Sequence, residues 1–338
     1  TYEMSIVMTG GGTGGHLAII KAVKEHLDEE ELIYIGSTKG QDKQWFENDE
    51  DFAYKYFFEK RGVVNQGALG KVKSLFMMFK ATMKAIKLLR KHQAKVVFSV
   101  GGFSAAATAF AAKILRIPLV IHEQNAALGS LNKLLKPHAE AFISSYLEES
   151  PIKAYPIKQI FFDNARIRDR VGTIIFLGGS QGAKAINRLA LQIAPQLKER
   201  GINIIHQAGQ NNIDEVRKAY EELGIRAEVF GFTDKLADYM KQADLAIARS
   251  GASTLWELSA TAVPTLYIPY PHAASDHQFH NAQFLFEKDL AWIMRENEID
   301  TEKVLALLDE DLSCKSKGLM EIVEKNGSEK IAALLTQI

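Results

Sequence analysis

The chain has 338 residues, a formal net charge of zero, and 47% apolar and 24% charged residues. That composition is ordinary for a soluble globular protein, and the length exceeds what one hydrophobic core usually organises, so two domains are expected. The single cysteine, Cys314, excludes an internal disulfide framework and fits a reducing compartment.

The N-terminal residues lack the basic start and long apolar run of a signal peptide. Residues 5–10 read as a short apolar strand that runs into glycines, and 17–27 have helical periodicity. A second strand is predicted at 31–37, a long helix at 75–92 and a strand at 95–102. An Ala-rich helix follows at 103–115, and a further strand at 117–125. This succession is βαβ, which makes a parallel sheet covered by helices. Between 150 and 170 two prolines and the loss of any clean period mark a linker. The scheme then restarts at 172–197 with strand, glycine turn and helix. Later strands are predicted at 202–209, 227–232, 245–251 and 265–271. The expected fold class is therefore α/β, with two doubly wound Rossmann-like domains at 1–158 and 159–338. The last helix is expected to return to the first domain.

Each half opens with a glycine-rich turn between strand and helix: Gly10–Gly15, and Gly178 to Gly182 with Ser180 and Gln181 inside it. Gly101-Gly102-Phe103-Ser104 and the segment from Arg249 to Thr254 also follow strands. Such a turn lets backbone approach a ligand and aims helix N–H groups at negative charge, and it can equally be a tight packing turn. A dinucleotide fold would place an acidic residue at the end of the second strand. That strand ends Ile35-Gly36-Ser37, which argues against NAD.

Charge is unevenly spread. No acidic residue lies between Glu59 and Glu123, whereas twelve cations do, among them Lys60, Arg61, Lys71, Lys73, Lys80, Lys84, Lys87, Arg90 and Lys91. In the helix 71–92 these alternate with Phe76, Phe79 and Met83, three and four residues apart. Basic residues flanking apolar ones suit an anionic membrane surface. No recognised nucleic-acid module accompanies them, so nucleic acid is not expected as a partner. The apolar stretches are too short to span a membrane.

Two strings, Asp49-Glu50-Asp51 and Asp309-Glu310-Asp311, spell the Asp-x-Asp of metal-dependent glycosyltransferases. Neither follows a buried strand, and helix N-termini at the glycine turns supply similar electrostatics. His122, His272, His277 and His280 lack a zinc-ligand pattern. No metal or other cofactor is expected.

Six blocks occur in order: GGGTGGH (10–16), GGF-S (101–104), HEQNAALGSLNKLL (122–135), GGSQGA (178–183), RSGASTLWEL (249–258) and DHQFHNAQFL (276–285). Together they resemble the MurG family of peptidoglycan N-acetylglucosaminyltransferases. The resemblance implies a GT-B fold, with two Rossmann-like domains facing a cleft, and an inverting, metal-independent reaction. The donor would be UDP-N-acetylglucosamine. The acceptor would be undecaprenyl-pyrophosphoryl-N-acetylmuramoyl-pentapeptide (lipid I), and the product lipid II. The enzyme would be peripheral, at the cytoplasmic face of a bacterial inner membrane.

The same resemblance assigns residues. Ser180 and Gln181 suit the donor diphosphate and nucleoside. Phe232 and Thr233 flank uracil, and Ala252 approaches sugar and phosphates. Glu257 accepts the ribose hydroxyls, while Gln278 and Asn281 hold the sugar hydroxyls. Asn125, Thr13 and Gly14 also fall to the donor. Gly14, Gly15, Gly102 and Ser104 fall to the acceptor phosphates, and a methyl group at Gly14 should intrude there. His16 is the candidate general base or phosphate anchor, with Glu123 a rival base. Lys158 stands where the family carries an arginine, keeping the charge but not the two-pronged geometry. Phe103 replaces a family tyrosine. The rival readings are a related transferase acting on diacylglycerol, a UDP-sugar epimerase, and a catalytically idle membrane scaffold for cell-wall synthesis.

Overall fold

The computed structural model describes residues 4–59, 67–179 and 181–338. Lys60 and Arg61 of the basic run, and Ser180, lie outside the described residues. The chain forms two compact units: Thr1–Pro156 together with Asn326–Ile338, and Ile157–Lys325.

Unit 1 contains β1 (Ser5–Thr9), α1 (Gly14–Lys24), β2 (Glu31–Ser37), α2 (Asp42–Phe46), β3 (Phe52–Phe58) and α3 (Ala68–Lys91). It continues with β4 (Ala94–Ser99), α4 (Phe103–Leu115), β5 (Leu119–His122), α5 (Ser130–Leu135) and β6 (Ala141–Ile143). All its strands are parallel, in the order β3-β2-β1-β4-β5-β6. The inner strands are apolar on both faces: Ile6, Val7, Met8, Ile33, Ile35, Val96, Val97, Val120 and Ile121 are all buried. A parallel sheet sandwiched between helix layers requires that.

Unit 2 begins with α6 (Gln159–Asp163), β7 (Thr173–Leu177), α7 (Lys184–Glu199), β8 (Asn203–Gln207), α8 (Ile213–Glu222) and β9 (Glu228–Phe230). Next come α9 (Leu236–Gln242), β10 (Leu245–Ala248), α10 (Ala252–Ala260), β11 (Thr265–Tyr267), α11 (His277–Glu287), β12 (Trp292–Ile293), α12 (Thr301–Ala306) and α13 (Ser313–Ile322). Its sheet is also parallel, ordered β12-β11-β10-β7-β8-β9. The last helix, α14 (Gly327–Gln337), belongs to unit 1, where it packs on α1. Its first residue has to be glycine. A Cβ on Gly327 would lie 2.5 Å from the Ala154 carbonyl oxygen and 2.7 Å from that of Tyr155.

The structure differs from the sequence pattern in several places. The helix expected from 75 begins at Ala68, because its first turns carry little buried surface to announce them. Strands β3, β6 and β12 have no counterpart among the expected elements. All three are edges of their sheets, and after Phe52 the residues of β3 are exposed or half-buried, so it shows no core period. The first unit ends at Pro156, two residues before the expected boundary, and takes in residues 326–338 with the returning last helix.

Both Asp-x-Asp strings have structural partners. Asp49 and Asp51 grip the buried Lys24 ammonium at 3.1 and 2.5 Å, at the end of α1. Burial pulls the Lys24 pKa down, and the two carboxylates outweigh it, leaving it raised. Asp309 pairs with Arg200 at 2.7 Å, and Asp311 accepts from the Ser313 N–H at 3.0 Å.

Arg168 organises the start of unit 2. Its guanidinium is buried and donates to the carbonyls of Met240, Lys241, Ala243, Thr261 and Arg166. It thereby closes the C-terminal ends of α9 and α10, whose last carbonyls have no partner within the helix. Burial pushes its pKa down to about 9, helped by the nearby Arg166. Arg168→Met should leave several buried carbonyls without donors and destabilise the protein by about 3 kcal/mol. Urea unfolding followed by circular dichroism reads this, and a change under about 1 kcal/mol would contradict it.

Candidate active site

In unit 1 the strand order reverses between β1 and β4: the chain proceeds outward through β2 and β3 on one side and through β5 and β6 on the other. Ligands of open α/β sheets bind at the carboxyl ends beside such a reversal. The two glycine turns meet there. A Cβ on Gly102 would lie 2.9 Å from the Gly11 carbonyl oxygen, so the turns touch backbone to backbone. Helices α1 and α4 both begin at this point, after Thr13 and Gly102, and among the described residues neither has a side-chain cap. Two helix N-termini therefore open at one place, the arrangement that attracts anions. Ser104 lies half-buried in the first turn of α4, and Phe103 exposes its ring.

His16 sits half-buried in the first turn of α1, its Nδ1 2.7 Å from Thr13 Oγ1. This contact decides the tautomer. If Nδ1–H donates to Thr13, Nε2 carries a lone pair and is a base; if the hydroxyl donates to Nδ1, Nε2–H is a donor. Thr13 thus acts on His16. Gly14 is the first residue of α1 and has no positive φ. A methyl there would approach Gln41 and Trp45 at 3.4 Å. The strained backbone lies earlier, at Gly10, Gly11 and Gly12, with φ of 142°, 117° and 91°. Gly12 alone among these three has open space where a Cβ would project.

Glu123 does not present a free carboxylate. It is buried, and its Oε1 accepts from the Gly129 N–H at 2.6 Å while Oε2 accepts from the Asn125 N–H at 3.4 Å. Burial raises its pKa, and those backbone donors oppose the rise. The side chain holds the loop that carries Asn125, which is a structural role in place of the expected basic one. His122 beside it is fully buried, and burial together with neighbouring His16 pushes its pKa down to about 3. It is a neutral imidazole.

Unit 2 repeats the plan. Its strand order reverses between β7 and β10, and the turns 178–183 and 249–251 leave the carboxyl ends of those strands. Gln181 is exposed on the first turn. The Gly179 N–H donates to Gln207 Oε1 at 3.1 Å, and Gln207 Nε2 donates to the Gly231 carbonyl at 3.4 Å. Gln207 thus links the glycine turn to the loop that carries Phe232 and Thr233. The Phe232 ring is 71% exposed. The Thr233 hydroxyl oxygen accepts from the Lys235 N–H at 3.0 Å.

Ala252 begins helix α10, and Glu257 lies half-buried on it. Burial of the carboxyl pushes its pKa up to about 8, opposed by the ammonium of Lys158. Lys158 is therefore close to Glu257. Gln278 Oε1 accepts from the N–H groups of Ser250 and Tyr270 at 3.2 and 3.0 Å, which fixes the side chain at the second turn. Asn281 departs from expectation. It is fully buried, and its amide donates to the Ser250 carbonyl at 3.1 Å. The three-residue spacing does put it on the face of Gln278, but one turn deeper, where it holds the turn from beneath instead of facing outward.

The start of the DHQFHNAQFL block depends on a residue outside any motif. Ser275 and Asp276 both adopt left-handed φ, 54° and 52°, just before α11. Arg295 holds Asp276, with Nη2 2.8 Å from Asp276 Oδ2 and its guanidinium 4.1 Å from the Phe279 ring centroid. Such a conformation persists only when its surroundings enforce it. Arg295 is remote in sequence, so no local signal reveals the pairing.

Two parallel doubly wound units, each with helix N-termini opening at a reversal of strand order, define the GT-B fold class. The chain matches the glycosyltransferase family 28 N-terminal domain over residues 6–144 and the family 28 C-terminal domain over 173–336, and it belongs to that family. It is 80% identical to the UDP-N-acetylglucosamine–N-acetylmuramyl-(pentapeptide) pyrophosphoryl-undecaprenol N-acetylglucosamine transferase of Sulfurovum sp. (strain NBC37-1), across 98% of each chain. Against the protein of the same name from Sulfurimonas denitrificans it is 53% identical, across 97% of each. Among solved structures, MurG of Acinetobacter baumannii superposes with a TM-score of 0.80 at 25% identity, covering 99% of this chain and all of that one.

The Glu257 carboxyl has a consequence for stability. Its folded pKa, about 8, lies above the ordinary value of 4.5. Between those values the native state keeps a proton that the unfolded chain has released. Glu257 therefore favours folding fully below pH 4.5, and that contribution declines as pH rises to about 8. Glu257→Gln should remove this decline, so the variant should gain stability relative to the parent between about pH 5 and about pH 8. Denaturant midpoints across that range test it; parallel profiles would refute the buried carboxyl.

Proposed function

We propose that the chain transfers N-acetylglucosamine from UDP-N-acetylglucosamine to the 4-hydroxyl of the N-acetylmuramoyl group of lipid I, giving lipid II for peptidoglycan synthesis. The observation that carries this reading is the 80% identity, over 98% of both chains, to an enzyme whose name states that transfer. Unit 2 takes the donor. The first-turn N–H groups of α10 and the glycine turn 178–183 suit the diphosphate, Glu257 the ribose, and the exposed Phe232 ring the uracil. Unit 1 takes the acceptor, its pyrophosphate at the paired starts of α1 and α4.

The acceptor hydroxyl attacks the anomeric carbon with inversion as the C1–O bond to UDP breaks. His16 receives the hydroxyl proton at Nε2 when Nδ1–H is donated to Thr13. Helix N-termini stabilise the departing diphosphate in place of a metal ion. Turnover of UDP-N-acetylglucosamine with a soluble lipid I analogue tests the reading, and activity should persist in EDTA. His16→Ala should lower turnover by about a hundredfold or more and abolish the acidic limb of the rate profile, while UDP affinity measured by calorimetry stays unchanged. A variant that kept the limb would reduce His16 to an anchor. Absence of transfer by the parent would overturn the function.

The first two-thirds of α3 supports a membrane-facing role. Leu69, Val72, Phe76, Phe79 and Met83 follow one another at spacings of three, four, three and four, and all are exposed, Leu69 at 85%. Leu69 and Val72 extend the stripe beyond the residues that the sequence pattern singles out. Lys80 Nζ lies 5.6 Å from the Phe76 ring centroid, and Lys84 Nζ 4.8 Å from that of Phe58. Among the described residues no helix is long and apolar enough to cross a membrane. The partners we propose are thus the two substrates and an anionic lipid surface at the cytoplasmic face of the inner membrane, with no nucleic acid. Phe76→Ser with Phe79→Ser should weaken binding to phosphatidylglycerol vesicles by about tenfold or more. Cosedimentation equal to that of the parent would contradict the docking face.

A further inference from the structure

Under the first glycine turn lies Asp42, a fully buried carboxylate whose described partners are all neutral. Its Oδ1 accepts from the Gly12 N–H at 2.7 Å, and its Oδ2 accepts from the Tyr34 hydroxyl at 2.8 Å and the Ser37 N–H at 3.2 Å. The same hydroxyl lies 2.8 Å from the Gly10 carbonyl oxygen, so its single proton is shared between that carbonyl and the carboxylate. Tyr34 itself is fully buried, its ring wedged among Phe46, Phe52 and Phe57 at centroid distances of 4.7, 5.5 and 5.9 Å. The two side chains therefore hold both ends of the Gly10–Gly12 segment from inside, one at a carbonyl and one at an N–H. Gly11 leaves no room for a Cβ against Asp42, and one on Gly40 would lie 2.6 Å from the Gly12 Cα. The turn is clamped on its inner side and open at Gly12 on its outer side.

The clamp also selects which amides face a ligand. Asp42 engages the Gly12 N–H, and the first bond within α1 runs from the Leu17 N–H to the Thr13 carbonyl. The N–H groups of Gly14 and Gly15 precede that bond, in the turn where a helix has no carbonyl of its own to offer them. Their direction depends on where the glycine turn delivers the chain.

We propose that Asp42 and Tyr34 are positioning residues for the acceptor: by fixing the Gly10–Gly12 turn they aim the Gly14 and Gly15 N–H groups at the acceptor phosphates and set the His16 ring. This rests on the reading that unit 1 takes the lipid-linked pyrophosphate. Neither side chain touches substrate. A displacement of the turn by a fraction of an ångström is enough to weaken a phosphate contact, and misplacements near 1 Å cost up to about a hundredfold.

The test uses the full chain, UDP-N-acetylglucosamine and a soluble lipid I analogue. Tyr34→Phe removes one hydroxyl without altering the ring packing. Asp42→Asn keeps an acceptor for Gly12 and disturbs the other two bonds. Both should raise the acceptor KM, by about threefold and about tenfold respectively, with the donor KM within about twofold of the parent. Asp42→Glu keeps the charge and should raise the acceptor KM as well, since the longer side chain has no room beneath Gly11. If the Asp42 variants fail to fold, Tyr34→Phe decides alone. A purely structural role would lower the melting temperature and leave the acceptor KM unchanged, which overturns the proposal. Gly12→Ala, which strains the turn but meets open space, separates the two readings. If it raises the acceptor KM while Tyr34→Phe and Asp42→Asn do not, the positioning role fails alone. If none of the three changes it, the acceptor site itself is elsewhere.

Discussion

A parallel strand that turns into a helix within a few residues delivers uncancelled backbone N–H groups at the carboxyl edge of its sheet. That constraint governs both units. Between Thr9 and Gly14, Ser99 and Phe103, Leu177 and Lys184, and Ala248 and Ala252, the chain reverses with little room for side chains. Among the described residues none of the four helices has a side-chain cap. Two of these turns flank the reversal of strand order in each unit. The remaining chemistry is arranged around those fixed partial charges, with His16 on the turn of one unit and Glu257 on the helix of the other.

The supporting side chains act by hydrogen-bonding backbone and not by reaching outward. Glu123 holds the Asn125 loop, Asn281 and Gln278 hold Ser250, Gln207 bridges Gly179 and Gly231, and Asp42 holds Gly12. A glycine turn has no side chains to lock its own shape, so a second layer must lock it. The polar residues near the turns are therefore divided between those at the surface of the turns and those that keep the turn backbone still.

This division explains what the sequence can reveal. The continuous apolar runs around Ile6, Val97 and Ile175 announce buried parallel strands, and the glycines after them announce the turns. Glu123 and Asn281 read as ligand-facing from their position within motifs, and motif position says nothing about depth. Asp42 gives no signal because its meaning lies in a bond to Gly12, thirty positions away in the chain. The acidic string at 49–51 has the spelling of a metal motif, and what sits between its carboxylates is the Lys24 ammonium. Strand β3 escapes notice because an edge strand with a wet face lacks the apolar period that reveals its neighbours.

Because α14 follows the whole of unit 2 in the chain yet packs in unit 1, the two units differ in how they are made. Residues 157–325 are contiguous, and every strand of their sheet is available before residue 326 is synthesised. Unit 1 cannot cover the α1 face until α14 arrives, with Gly327 seated against the carbonyls of Ala154 and Tyr155. During synthesis the unit that starts first is thus finished last, and until then its α1 surface stands exposed to chaperones and proteases.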